Sequence, residues 1–208
     1  MNRNISPSLL SANFTRLRED IKIVEKLGVN RLHLDVMDGH FVPNLTFGPF
    51  IISQIREITD LHLETHLMIE EPHKYIKDYA KAGSDTIIIH YEASNNIGED
   101  LRLIKNCNKE SGIAINPDTD YKLLNPYLDD LDYILIMSVF PGFGGQKFID
   151  STLESMEYLV NKSKNKNITI GVDGGVNLST IDKVYKTGVD VTIVGSALYG
   201  AENIEKRY

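Results

Sequence analysis

Short apolar runs rich in β-branched residues recur near residues 4–9, 31–37, 61–68, 85–90, 112–116, 132–138, 167–172 and 190–194. Each has the length and composition of a strand buried on both faces. A stretch with helical spacing follows nearly every run. From Phe14 to Leu27 the apolar Leu17, Ile21 and Val24 fall on one face and Gly28 supplies the stop. Pro72 to Ala82 ends at Gly83, and Ser179 to Lys186 runs up to Gly188. The pattern predicts helices that each close on a glycine opening the turn into the next strand, with roughly two dozen residues per unit. The units share this rhythm and no sequence identity, so they read as diverged copies of a βα repeat.

Eight such units close most economically into a (β/α)₈ TIM barrel, although a doubly wound open sheet would share the pattern. The position of the polar residues favours closure. Ser8, His33 with Asp35, His66 with Met68, His90, Asn116, Met137, Asp173, and Gly195 with Ser196 all fall at the C-terminal ends of predicted strands. A closed barrel gathers those ends around one mouth, whereas an open sheet strings them along an edge. No Pro, Ser or charge-rich linker divides residues 1–208, which predicts a single α/β domain.

Composition narrows the partners. With 42% hydrophobic and 25% charged residues the chain is built to fold around a core. A net charge of −7 without a basic stripe argues against nucleic acid, because nothing displaces counterions from phosphates. Any anionic ligand must be held locally. One cysteine, Cys107, forms no internal disulfide, and neither a signal-peptide core nor a run of about 18 apolar residues is present. These features predict a cytoplasmic protein with no membrane partner.

The candidate chemistry sits at the strand ends. Alternation along LHLDVMDGHFVPN places His33, Asp35 and Met37 on one side of the second strand. His66 and Met68 are in phase in the third, and Asp173 ends the seventh. His33, Asp35, His66 and Asp173 together suit one divalent ion, Zn²⁺ first, with Fe²⁺, Mn²⁺ or Co²⁺ as alternatives. Any one of the four taken alone reads as a core histidine or a helix cap; their coincidence in phase points to a site. Strands two and seven lie three steps apart round a ring of eight, roughly 135°, so Asp35 and Asp173 approach one bound molecule from different sides. That is the geometry for inverting a carbon that bears an acidic proton. A hydrolase or lyase using one aspartate is the alternative this spacing leaves open.

Three glycine clusters, PGFGGQ (141–146), DGGVN (173–177) and VGSALYG (194–200), read as turns that present backbone N–H groups to phosphate; the last two follow strands seven and eight. Met37, Met68 and Met137 fall in the phase of the proposed ligands and read as an apolar, polarizable cap rather than simple core filler, Met137 on phase alone because its strand is apolar throughout. GHFVPN and NLTFGPF after the second strand read as a structured loop, part of the rim or of a subunit contact. His40, His62, His73 and the run Lys162 to Lys166 have no partner in the pattern and read as solvated surface.

SPSLLSANF, LHLDVMDGHFVPN, HLMIEEP, MSVFPGFGGQKFI, GVDGGVN and VGSALYG, in this order from Ile5 to Gly200, resemble the ribulose-phosphate 3-epimerase family. The resemblance implies interconversion of D-ribulose 5-phosphate and D-xylulose 5-phosphate on a (β/α)₈ barrel with one divalent metal, usually zinc or iron. It implies Asp35 as proton acceptor and Asp173 as donor, exchanging roles in reverse, with His33, Asp35, His66 and Asp173 as metal ligands. Ser8, His66 and Gly142, Phe143, Gly144 and Gly145 match substrate contacts; Gly174, Gly175, Gly195 and Ser196 match the phosphate-binding backbone; and the three methionines match the cap. It also implies a homo-oligomer, dimer or hexamer. Phe140 stands where many relatives have Asn, Asn13 replaces the Asp of SADF, and Asp120 replaces a proline in NPDTD. The rivals are a 3-epimerase of a hexulose phosphate such as D-allulose 6-phosphate, an aldolase or decarboxylase, whose Asp-x-Lys-x-x-Asp cluster is missing at the strand ends, and a noncatalytic sensor, which would be expected to lose a carboxylate.

Overall fold

The β-branched runs fold as β1 (Ile5–Pro7), β2 (Arg31–Met37), β3 (His62–Met68), β4 (Thr86–His90), β5 (Glu110–Ile115), β6 (Tyr133–Met137), β7 (Thr169–Asp173) and β8 (Val191–Val194). In the computed structural model, which describes residues 4–208, they form one parallel sheet in the order β1-β8-β7-β6-β5-β4-β3-β2. Between β1 and β2 the ring closes through a parallel bridge from Ser8 to His33. The architecture is the (β/α)₈ barrel that the strand-end residues predict.

The helices are α1 (Leu17–Lys26), α2 (Pro49–Arg56), α3 (Ile76–Ala82), α4 (Ile97–Asn106), α5 (Thr152–Ser163), α6 (Ile181–Lys186), α7 (Ser196–Tyr199) and α8 (Ile204–Arg207). The expected helices at 14–27 and 72–82 each begin as a 3₁₀ turn, Phe14–Arg16 and Pro72–Lys74. Strand and helix do not alternate throughout. A 3₁₀ segment, Tyr121–Tyr127, follows β5 in place of an α-helix, and Pro126 inside it has no N–H to donate to an α-helical ladder. Closure on glycine holds for α1, α3 and α6, whose Gly28, Gly83 and Gly188 have φ of 84°, 108° and 93°. After α4 the left-handed residue is Asn108, at φ 56°, a side chain that tolerates this region by local hydrogen bonding. Glu57 and Lys164 cap α2 and α5 in right-handed conformation.

Two packed regions hold the fold. Outside the ring, helix residues such as Ile21, Ile52, Ile76 and Leu159 bury against the outward faces of the strands, including Leu34, Leu63 and Ile134. Inside, Ile88, Ala114, Tyr133, Leu135, Met137, Val191 and Ile193 form an apolar half. The β1–β3 half is polar instead, with Ser6, Ser8, His33, Asp35, Glu64 and His66 all buried. Register sets this division. β2 and β3 align His33 with Glu64, Asp35 with His66 and Met37 with Met68, so every second residue of both strands faces the interior at a matched height.

Some residues expected at the surface are engaged. His62 lies at the N-terminal end of β3, where Nε2 stands 2.6 Å from Thr86 Oγ1 and 3.5 Å from Glu110 Oε2. Lys166 pairs with Asp129, and Lys162 sits 5.7 Å over the Tyr158 ring. His40 and His73 are exposed as expected.

The apolar half is filled to the limit by Tyr133, fully buried against Gly171, where an added Cβ would lie 2.2 Å from Tyr133 Oη and 2.8 Å from Cζ. The Gly171→Ala substitution should therefore lower stability by about 1–3 kcal/mol, the usual cost of overpacking. Urea unfolding measures this, and an unchanged midpoint would contradict the packing described.

Candidate active site

Parallel register brings the predicted ligands to one point at the C-terminal end of the barrel. His33 Nε2 stands 3.3 Å from His66 Nδ1 and 3.5 Å from Asp35 Oδ1. His66 Nδ1 is 3.3 Å from the same Asp35 oxygen. Asp173 Oδ2, arriving from β7, lies 4.0 Å from His33 Nε2 and 3.9 Å from His66 Nδ1. The four ligand atoms all fall within 4.8 Å of one another. Ser8 Oγ donates to the other Asp35 oxygen at 2.5 Å and fixes the rotation of that carboxylate.

This donor set fits a divalent cation. Two imidazole nitrogens and two carboxylate oxygens turn lone pairs toward a shared centre, and bonds of about 2.0–2.1 Å from a central zinc would separate tetrahedral ligands by about 3.3 Å. The two shortest separations match that figure; Asp173 stands slightly back and retains 18% side-chain exposure, against 5% for Asp35 and 0% for each histidine. The charges are strongly interdependent. Burial alone would raise Asp35, yet the adjacent His33 and His66 outweigh it and hold the carboxyl well below the usual range. Burial, and then the charge of Asp35, push Asp173 upward. Burial lowers His66 to about 3, while for His33 the attraction of Asp35 overcomes burial and raises it to about 10. Without a cation, the cluster must hold protons in its place.

Above the cluster lies a cavity of about 310 Å³. Its floor includes Asp35 and Asp173, and Met37, Met68 and Met137 form an apolar wall. Ser8, Gly142, Phe143, Gly144, Gly145, Gly174, Gly175, Gly195 and Ser196 all line it, so the expected substrate residues converge. His33 and His66 sit beneath the floor, fully buried, and do not line the cavity. The turn after β7 packs tightly: a Cβ on Gly175 would lie 2.5 Å from the Phe148 backbone nitrogen, and φ there is 63°. From the GHFVPN loop, Asn44 Nδ2 donates to the Gly142 carbonyl at 2.7 Å, bracing PGFGGQ.

The ribulose-phosphate 3-epimerase family model matches residues 4–199. The chain belongs to this family. It is 45% identical to ribulose-phosphate 3-epimerase of Bacillus subtilis over 205 residues, covering 97% of this chain and 94% of that one. It is 42% identical to the chloroplastic ribulose-5-phosphate-3-epimerase of Arabidopsis thaliana, covering 96% and 72%. Among solved structures it is similar in fold to KGPDC from Streptococcus mutans, with a TM-score of 0.71 at 16% identity covering 99% and 93%. A tryptophan synthase α-subunit mutant from Pyrococcus furiosus is likewise similar in fold, with a TM-score of 0.70 at 12% identity covering 98% and 95%. As a family member the chain is an isomerase, an epimerase of the pentose phosphate pathway.

Within the epimerase family, the departures of this chain from the common pattern leave the site intact. Asn13 Oδ1 accepts from Thr15 N at 3.0 Å, and Asp120 Oδ1 accepts from Lys122 N at 3.0 Å, so both cap 3₁₀ turns. Phe140 is half exposed and does not line the cavity; its carbonyl accepts from Gln146 Nε2 at 2.7 Å. Pattern reading gave no role to Leu10, Ser11 and Val139, which line the wall, or to Glu64, His90 and Glu92. Glu64 and His66 share a strand phase that was readable. Their partners come from other strands, which periodicity does not pair.

A cation that binds the folded cluster stabilises the fold by mass action, by about 2.7 kcal/mol at a concentration of 100 times its Kd. Thermal denaturation of metal-free protein with and without Co²⁺ or Zn²⁺ should show a higher midpoint with the ion. An unchanged midpoint would contradict the fit of these four donors to a cation.

Proposed function

We propose that this epimerase interconverts D-ribulose 5-phosphate and D-xylulose 5-phosphate by proton transfer between two carboxylates and C3. The observation that carries the reading is the placement of Asp35 and Asp173 in one cluster on the floor of the cavity, reached from strands on different sides of the mouth. A divalent ion held by His33, Asp35, His66 and Asp173, zinc first and iron, manganese or cobalt next, would supply Lewis acidity toward the substrate oxygens beside C3.

Asp35 takes the C3 proton from one face and Asp173 returns one to the other, leaving an enediolate between the two steps; the roles exchange in the reverse direction. Ser8 supports this by holding the Asp35 carboxylate in a single rotation. Met37, Met68 and Met137, each no more than 4% exposed, cover the flat intermediate and keep out water that would reprotonate it without facial control. The phosphate rests on backbone N–H groups of Gly174, Gly175, Gly195 and Ser196 after β7 and β8, the usual place for it on this barrel. Such donors hold an anion without lysine, in keeping with a net charge of −7. Ser8 and the loop from Gly142 to Gly145 complete the substrate contacts in this reading, while His66, fully buried beneath the floor, serves the cation. The enzyme works in the cytoplasm as a homo-oligomer, a location that the free thiol of Cys107 supports.

Each positioned acid or base contributes about 10²–10⁴-fold, so Asp35→Asn and Asp173→Asn should each abolish detectable exchange of the C3 proton with deuterated solvent. Metal content is measured beside activity, because both substitutions alter a proposed ligand; unchanged exchange in both variants would remove these aspartates from the proton transfer, and wild type that exchanges no C3 proton would favour a noncatalytic sensor. Side-by-side turnover of D-ribulose 5-phosphate and D-allulose 6-phosphate tests the sugar. The pentulose should be faster, as the names of the relatives support, and faster turnover of the hexulose would overturn this assignment.

A further inference from the structure

Both histidines of the cluster have a second nitrogen, and each one faces a carboxylate, the buried Glu64 directly and the partly exposed Glu92 through one further ring. Behind His33, Nδ1 stands 3.5 Å from Glu64 Oε2, at ion-pair rather than hydrogen-bond distance, and among the described residues it makes no hydrogen bond. Glu64 is fully buried inside the barrel, where Ser6 Oγ donates to it at 2.7 Å and Arg31 Nη1 at 2.5 Å. Behind His66, Nε2 stands 2.8 Å from Nε2 of the fully buried His90, whose Nδ1 lies 3.0 Å from Glu92 Oε2. The other Glu92 oxygen accepts from Asn116 N at 2.8 Å and from Thr119 Oγ1.

A neutral imidazole carries its proton on one nitrogen only, and a carboxylate beside one nitrogen draws the proton there. For His33 the alternative places the proton on Nε2, aimed at Asp35 Oδ1 3.5 Å away, in the middle of the donor cluster. For His66 it places the proton on Nδ1, 3.3 Å from the same oxygen. Either would occupy the space where the lone pairs meet. Glu64 pulls the His33 proton to Nδ1. Glu92 holds a proton on His90 Nδ1, which leaves His90 Nε2 free to accept from His66 Nε2–H.

We propose that Glu64, and Glu92 acting through His90, are positioning residues that set opposite tautomers on the two rings, so that Nε2 of His33 and Nδ1 of His66 face the same centre as acceptors. The inference rests on the cation reading of that centre. Arg31 and Ser6 belong to the device, since a carboxylate this deep is costly unless paired and hydrogen-bonded. A plain Arg31–Glu64 structural pair would account for one arm only. It leaves unexplained why the second ring is tied outward by an independent chain to a different carboxylate.

The test is a Co²⁺ titration of metal-free wild type, Glu64→Gln and Glu92→Gln, followed by the visible absorption of the bound ion and by competition with a chelator. Imidazole N–H proton resonances of the zinc-loaded proteins are recorded alongside. The amides keep the size of the side chains and remove the charge that draws the ring proton. Both variants should bind Co²⁺ about 10–100-fold more weakly, with a shifted absorption band and altered ring N–H resonances. Variants that are less thermally stable yet bind with wild-type affinity and spectrum would overturn the proposal in favour of a structural role. If Glu64→Gln does not fold, Glu92→Gln decides alone, because Glu92 keeps 21% side-chain exposure at the rim and leaves the Arg31 pair untouched. Wild type that binds no cation would overturn this inference and the cation reading together. Wild-type binding with unchanged variants would overturn this inference only.

Discussion

Four acceptor atoms crowded within 4.8 Å, at the C-terminal end of a polar half-barrel, are the constraint on which the rest of this structure depends. Lone pairs so arranged repel unless positive charge lies between them, and water has little access to screen histidines that are fully buried. The arrangement costs folding free energy unless a cation or protons fill it. Retaining two imidazoles and two carboxylates there makes sense for a site that takes up a metal and handles protons within one small volume.

The barrel makes this crowding possible through register. Two parallel strands in matched register deliver His33, Asp35 and His66 on one side, and β7 supplies Asp173 across the mouth. Apart from His90, the remaining interior, from Ile88 to Ile193, is largely apolar and packed around Tyr133, which provides the apolar burial that the polar half lacks. The methionines stand at the boundary: Met37 and Met68 are register partners directly above the Asp35–His66 pair, and Met137 lies beside Asp173 in the β6–β7 ladder. A hydrophobic wall therefore meets the Asp35 and Asp173 carboxylates at the cavity floor.

Much of this was legible in the chain. The period of the apolar runs, the polar residues ending them and the glycine turns after strands seven and eight sufficed for the barrel, its mouth and the four clustered side chains. The less legible features depend on contacts between distant segments. Glu64 shares its phase with His66, but its partners Ser6, Arg31 and His33 become visible only once strands are placed side by side. His62 read as surface because the inward phase of β3 continues one step below the polar core, to Thr86 and Glu110. The missing helix after β5 turns on one proline, and Asn108 in place of glycine shows that the left-handed stop is a conformational requirement that a second residue type can meet.

The central claim is that the four-residue cluster holds one divalent ion that the reaction requires. Elemental analysis of protein purified without added metal, read with epimerase activity before and after chelation, tests it most directly. About one divalent ion per chain is expected, with activity that falls on chelation and returns when the ion is restored. Full activity in protein free of metal would contradict it.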